Sequence, residues 1–435
     1  MDNVSKKKTA IVIGSGAGGA VVALELLEKY DVTILEAGGD FKPFSASLEK
    51  LATLRPTGIY RDENQIKMFV PNMSIDKSEE IAIARGIGVG GTTTLATGNA
   101  ARFDESLKEI GINLDEEFDY YLNTLDISTE HQKHWNDGTK KLFKTCEDMG
   151  LNPVVMPKLI DASRCINCSH CAIGCPTDAK WDTRALVDEA LEKGAQIIKN
   201  CKVTDFTIEN NTVTQVNAKV KGKTKTFEAD LIVLAAGGLG SPVILENSGI
   251  KCEDTLFVDP LICVAGESPD FNQHKQLLMS FYCKQDGFIL SPYIDYLSFF
   301  FNKDWRLPAK DIACIMIKMA DEENGKMDGE KVQKKMTDKD WSTMNKAIDL
   351  CHEILEKMDI PRDKQFVGLL NAGHPAGMLP LTENEKDTLH NPSLPENLYV
   401  ADATILPKTM GFPPMLTIMA LAKKIASVIL SSESL

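Results

Sequence analysis

Four cysteines carry the first chemistry visible in this chain. Cys165, Cys168, Cys171 and Cys175 stand in RCINCSHCAIGCP, a C-x2-C-x2-C-x3-C-P run that ends at Pro176. That spacing is the bacterial ferredoxin pattern for an iron–sulfur cluster, and four thiolates so placed can wrap one cubane. In two-cluster ferredoxins the fourth cysteine serves the other cluster. Only one run is present here, so Cys175 closes its own cluster, stands free, or is replaced by a distant cysteine. The expectation is one [4Fe–4S] cluster. Zinc is the alternative metal, because four sulfurs also suit tetrahedral coordination. A second chemistry lies at the start of the chain. Gly14, Gly16 and Gly19 form G-x-G-x-x-G between an apolar strand (TAIVI, 9–13) and a helical run (20–30). A strand at 32–35 follows, and then Glu36. The first glycine permits a tight turn, the second lets backbone approach a pyrophosphate, and the third lets helix pack on strand. The helix N-terminus offers free N–H groups to phosphate, and Glu36 can accept from ribose hydroxyls. A bound dinucleotide is expected.

These residues need elements to hold them. The chain has 435 residues, 43% hydrophobic and 25% charged, which is the composition of an ordinary globular protein long enough for two or three structural units. Its formal net charge of −14 argues against nucleic-acid or anionic-membrane partners. The 11 cysteines are odd in number and mostly scattered, unlike a secreted disulfide framework. The N-terminus has a basic patch but no apolar core with a cleavage site, and no run reaches about 18 consecutive apolar residues. A reducing cytoplasm and no membrane span are expected.

Taken in order, residues 37–81 read as irregular excursion loops. A second glycine-rich turn follows at 86–91, closed by Thr92, Thr93 and Thr94. Residues 105–150 read as acidic helices; His131 and His134 there suit a solvated face better than a metal site. A helix is expected at 181–193, antiparallel strands at 203–220 with a turn at Asn210–Asn211, and a buried parallel strand at 231–234. Residues 251–365 change character and read as a cap or substrate region, with a solvated charged stretch at 321–339 and an amphipathic helix at 341–358. The strand at 398–400 and the helix at 415–430 return to the nucleotide-binding unit.

Several segments, in order, resemble the glucose–methanol–choline (GMC) flavoprotein oxidoreductases. They are GSGAGG with Ile34–Gly38, the loop RGIGVGGTT at 85–93, LIVLAAGGLGSPVIL at 231–245, and NLYVADATILPKTMGFPPMLTIMALAKKIASVIL at 397–430. The resemblance implies an α/β fold with a discontinuous Rossmann-like FAD-binding domain (1–40, 80–110, 181–250 and 392–435). It also implies a smaller α+β substrate or cap region (41–79 and 251–391), with residues 158–180 as an inserted iron–sulfur loop. Carried over by position, Gly14, Gly16, Gly19 and Glu36 hold the ADP part of FAD. Gly90, Gly91, Thr92 and Thr93 lie near the flavin and pyrophosphate. Val203 falls in the adenine-side segment, Ala236 and Gly237 near the ADP moiety, and Asp402 and Ala403 in the segment that closes over the flavin. The family's catalytic histidine matches His374 in Gly373-His-Pro-Ala-Gly377, a base whose neutral imidazole can take a hydroxyl proton. The family's usual reaction moves hydride from an alcohol carbon to flavin N5. The second catalytic position, usually Asn or His, falls on Pro413, and an Asn of the second loop is replaced by Ala96.

Flavin and cluster together imply a dehydrogenase or reductase of anaerobic metabolism. It acts on a hydroxyl-bearing small molecule, with single electrons passing to or from a ferredoxin-like partner. Reduction of an activated C=C or C=O bond, and an electron-transfer subunit without its own substrate, are the alternatives. The oligomeric state is not written in the sequence.

Overall fold

The computed structural model describes residues 7–44, 48–57, 62–302 and 304–432; most of the basic N-terminal patch lies outside them. The apolar runs become a five-stranded parallel sheet in the order Leu398–Val400, Leu231–Leu234, Lys8–Ile13, Tyr30–Glu36, Gln196–Lys199. Such strands are apolar on both faces because helices cover both sides. Helix Ala17–Leu26 packs on helices Met415–Ser432 and Arg184–Glu192. The two ends of the chain thus close one unit, as expected. Met415–Ser432 is long and apolar enough to cross a membrane by composition, but its apolar face is buried in this core. Its Lys423 and Lys424 pair with Glu25 (2.7 Å) and Glu117 (3.4 Å).

A second sheet is mixed and has nine strands. Its backbone is the strongly hydrogen-bonded pair Leu261–Glu267 and Ile312–Met319, flanked by Phe288–Pro292 and Phe281–Lys284 on one side. On the other side come the two-residue strand Asn371–Ala372 and the hairpin Met73–Ser78/Ile81–Gly86. The mixed α/β architecture agrees with the fold class read from the sequence.

Four local expectations need correction. Residues 73–78 are a strand, not loop; their alternation of apolar and polar residues is short and was masked by the glycines and prolines before it. The hairpin also runs through the expected boundary at residue 80, so Ile81–Gly86 is bonded into the larger sheet. The charged stretch 321–339 is only partly solvated: Asp321 and Lys334 form a 2.8 Å ion pair with both side chains fully buried. His131 is buried as well. Its Nε2 lies 2.9 Å from the Met156 carbonyl, and Trp135 Nε1 donates to its Nδ1. Elsewhere local chemistry predicted the element. Asn210 and Asn211 both take φ near +55° (51° and 60°), the left-handed pair that a two-residue hairpin turn requires. Thr337 and Asp340 form the reciprocal capping box that starts helix Asp338–Lys357.

Candidate active site

The first strand ends at the glycine turn, and the helix after it starts at Gly16, whose side-chain-free position leaves the first N–H groups uncapped. Gly19 lies inside this helix. A Cβ there would stand 2.1 Å from the Gly14 carbonyl oxygen, so only glycine lets the helix seat on the turn. Gly90 N–H donates to Ser15 Oγ (3.1 Å), which joins the two glycine-rich turns. Gly19 and Gly90 therefore build the wall without lining the space.

That space is a cavity of about 560 Å³ lined from both sheets, within the ~300–1,000 Å³ of cofactor and ligand sites. Gly14, Gly16, Glu36, Gly91, Thr92 and Thr93 line one part. Val203, Ala236, Gly237, Asp402 and Ala403 line it too, as do His374, Ala96 and Pro413. Glu36 is buried, and its carboxylate already accepts from Ser15 N (3.1 Å), Ser15 Oγ (2.6 Å) and Gly38 N (2.8 Å). A carboxylate has about four acceptor positions, so a ribose hydroxyl can still be taken. Asp402 Oδ2 accepts from Gly237 N (2.7 Å) and Ser241 Oγ (2.5 Å), and Oδ1 from Thr404 N (2.8 Å). Its carboxylate fixes the Gly237 turn; its own hydrogen bonds run to protein. Burial pushes the pKa of both acids up. The uncapped helix end, the glycine-lined turn and the elongated cavity reaching from Val203 to His374 fit the ADP and flavin halves of FAD.

His374 follows the short strand Asn371–Ala372, which is pinned between Leu261 and Ala82. The Ala376–Phe257 bridge fixes the turn after it. A Cβ on Gly238 would stand 1.7 Å from the Pro375 carbonyl oxygen, so the ADP-side turn and the histidine turn touch backbone to backbone. His374 Nδ1 is buried without a hydrogen-bond partner, 3.7 Å from Asp259 Oδ2. Burial, and then the Lys318 ammonium, hold its pKa well below the ordinary histidine value, so the ring is neutral at pH 7. Lys318 lines the same cavity and pairs with Asp259 at 3.0 Å. Sequence reasoning missed both. The signal was available: Lys318 is a lone cation in the otherwise apolar, fully buried strand IACIMIKM.

The cysteine run leaves and rejoins the fold at the Ile160–Lys180 bridge. Left-handed residues Asn167 (φ 51°) and Ser169 (φ 59°) curl the loop. Ser169 Oγ then anchors it to the Gln273 and Gln276 carbonyls. All four cysteines line one small cavity of about 10 Å³. Among the described residues, no three His, Cys, Asp or Glu side chains are arranged to hold a single metal ion. Two lysines beside the loop were also missed. Lys158 Nζ is fully buried and donates to Thr97 O (3.0 Å), Asn99 Oδ1 (2.5 Å) and Leu278 O (2.8 Å), all uncharged. Burial pulls its pKa down to about 7, opposed by Cys171 and Cys165. Lys180 Nζ donates to the Thr93 (2.8 Å) and Thr94 (3.0 Å) carbonyls of the flavin-side loop.

A parallel sheet with a glycine turn, an acid after the second strand and a cavity shared with a mixed sheet define a Rossmann-like flavoprotein fold. Two solved structures share it: a pyridoxine 4-oxidase from Mesorbium loti (TM-score 0.67, 16% identity, 97% of this chain and 99% of that one) and a formate oxidase from Aspergillus oryzae (TM-score 0.71, 13% identity, 99% of each). The GMC oxidoreductase family profile matches residues 8–263. The chain belongs to that family and is an FAD-dependent oxidoreductase. An uncharacterized protein of Methanocaldococcus jannaschii is 29% identical over 96% of this chain and 99% of its own length. An oxygen-dependent choline dehydrogenase of Staphylococcus xylosus is 25% identical over 63% of this chain and 54% of its own length.

Proposed function

We propose that this enzyme oxidises a hydroxyl-bearing small molecule with His374 as the base, and exchanges single electrons with a ferredoxin-like protein through a [4Fe–4S] cluster on Cys165, Cys168, Cys171 and Cys175. FAD, when bound, supplies the two-electron acceptor for the hydride that leaves carbon. The cluster, when bound, supplies a one-electron carrier. The residues do the rest. Neutral His374 takes the hydroxyl proton, most readily on Nε2 because Nδ1 is buried. The apolar walls exclude water from the reacting carbon.

The observation that carries the electron-relay reading is a shared wall. Cys171 lines the small cysteine cavity, and the next two residues, Ala172 and Ile173, line the large cavity. Adjacent residues, Cys171 and Ala172, therefore face the two cavities. The charges support it too. Lys158 is a buried amine with no carboxylate among its hydrogen-bond acceptors, and holding it charged costs several kcal/mol unless an anion is close. A four-thiolate cluster is such an anion; burial pushes the Cys171 thiol up to about 12, and Lys158 and Lys180 act against that shift, toward the thiolate. All 11 cysteines are unpaired, which supports a reducing compartment, the cytoplasm.

Pro413 favours a second reading, reduction of an activated C=C or C=O bond, since that position lines the cavity without an acid–base group. Anaerobic iron, sulfide and flavin analysis with EPR tests the cluster. About four irons and four sulfides per flavin are expected; zinc without iron would sink the relay. Anaerobic bleaching of the flavin by alcohols, against reoxidation of reduced flavin by enones, separates the two directions.

A further inference from the structure

We infer that Lys318 is the second catalytic group of this site, replacing the acid–base residue lost at Pro413, and that Asp259 is the positioning residue that ties it to His374. The inference rests on the alcohol-oxidation reading above.

Asp259 is buried, and it holds a left-handed backbone (φ 49°) that costs a non-glycine residue free energy. Its carboxylate gathers three parts of the site. Oδ1 accepts from Thr409 Oγ1 (2.6 Å) and Gly411 N (3.1 Å), in the segment that leads to Pro413. Oδ2 pairs with Lys318 Nζ (3.0 Å) and faces His374 Nδ1 (3.7 Å). The backbone N–H of Asp259 donates to Asp321 Oδ1 (2.8 Å), and Asp321 is itself paired with buried Lys334.

A buried ion pair in an apolar strand contributes little net stability, and apolar residues of the same volume often serve better. The strand holding Lys318 is otherwise apolar and buried throughout. Stability alone therefore does not account for it. Asp259 takes two of the three ammonium hydrogens, through its carbonyl oxygen (3.1 Å) and Oδ2. Lys318 lines the same cavity as His374 and Pro413, so the third N–H is left for a ligand there. Two lysines and two aspartates make the network neutral, and a substrate oxygen gaining negative charge is then welcome beside the ammonium.

The hydroxyl proton passes to His374. The C–H bond breaks with its electron pair leaving as hydride to the enzyme's FAD. The oxygen, which becomes a carbonyl, keeps a hydrogen bond from Lys318 Nζ throughout. Lys318 gives up no proton.

The test uses the FAD-loaded full-length enzyme. Anaerobic stopped-flow follows flavin bleaching by pyridoxine, choline and benzyl alcohol. Lys318→Met is expected to slow bleaching by about 10²–10³-fold with little change in half-saturating concentration. Lys318→Arg should recover part of the rate. The double variant Lys318→Met/Asp259→Asn, which leaves no lone buried charge, should be no slower than Lys318→Met. In parallel, nitrogen NMR of histidine-labelled enzyme should show the His374 pKa rising in Lys318→Met. Wild-type bleaching rates in a folded Lys318→Met or double variant, or an unmoved His374 titration, would overturn the inference. If none of the alcohols bleaches the wild-type flavin, the alcohol reading fails instead, and the NMR arm alone decides whether Lys318 acts on His374.

Discussion

At the scale of single residues, the site divides by how each side chain is specified. The cysteines and the N-terminal glycines were legible because their chemistry fixes their spacing along the chain. His374 was legible through a short motif around it. Asp259 and Lys318 were missed: the lone cation in an apolar strand marked Lys318 as unusual, but its partner lies 59 positions away and only packing brings the two together. His374→Ala should cost about 10²–10⁴-fold in flavin reduction while FAD content stays unchanged. Its depressed pKa has a definite sign. The ring stays neutral until the pH falls well below 6.5, so the acid limb of the rate profile should lie below pH 6.5. A limb centred at or above that value would show the base to be another group.

At the scale of elements, the site depends on close approaches between turns. The Gly238 position abuts the Pro375 carbonyl across the boundary between the two sheets. Gly238→Ala should therefore push the histidine turn away, lowering both bound FAD per chain and the reduction rate; full retention of both would mean that this contact is slack. His131 gives a second element-level test. It sits at the end of a short helix against Met156, and burial pulls its pKa down to about 4 from an ordinary 6.5. The unfolded chain then binds the proton first. Stability should fall as the pH drops from 6.5 to 4, by up to about 3 kcal/mol from this residue. Buried carboxylates such as Asp295, with its pKa raised to about 6, act in the opposite sense. Comparing urea unfolding of wild-type and His131→Gln across pH isolates the histidine; parallel pH profiles for the two would refute the assignment. The sequence reading placed His131 on a solvated face because the H-x2-H pair stands in an acidic helical stretch with no further ligand nearby, and helical spacing cannot say which turn is roofed by another segment.

At the scale of the molecule, two cavities sit on either side of one loop. Cys171→Ser should reduce bound iron while leaving the flavin spectrum in place, since the glycine turns and Glu36 lie on other elements. Loss of FAD together with iron would mean that the loop is a structural support for the flavin side, not a separable relay. The ferredoxin-like partner proposed above would dock near this loop, where Ile166 is 62% exposed.

The sequence by itself determined the parallel sheet, the dinucleotide turn, the family and the four-thiol run. Each is written in local spacing: apolar strands, glycines at a tight turn and a close helix approach, cysteines at ferredoxin-like intervals. Only the tertiary structure decided that Cys171 backs onto the flavin cavity and that Lys158 and Lys180 lie buried beside it. It also decided that Asp259 pairs with Lys318 and faces His374, the placement on which the inferred role of Lys318 rests. Those relations depend on how distant segments pack, and burial, which gives each of these charges its energy, is a property of the packed molecule.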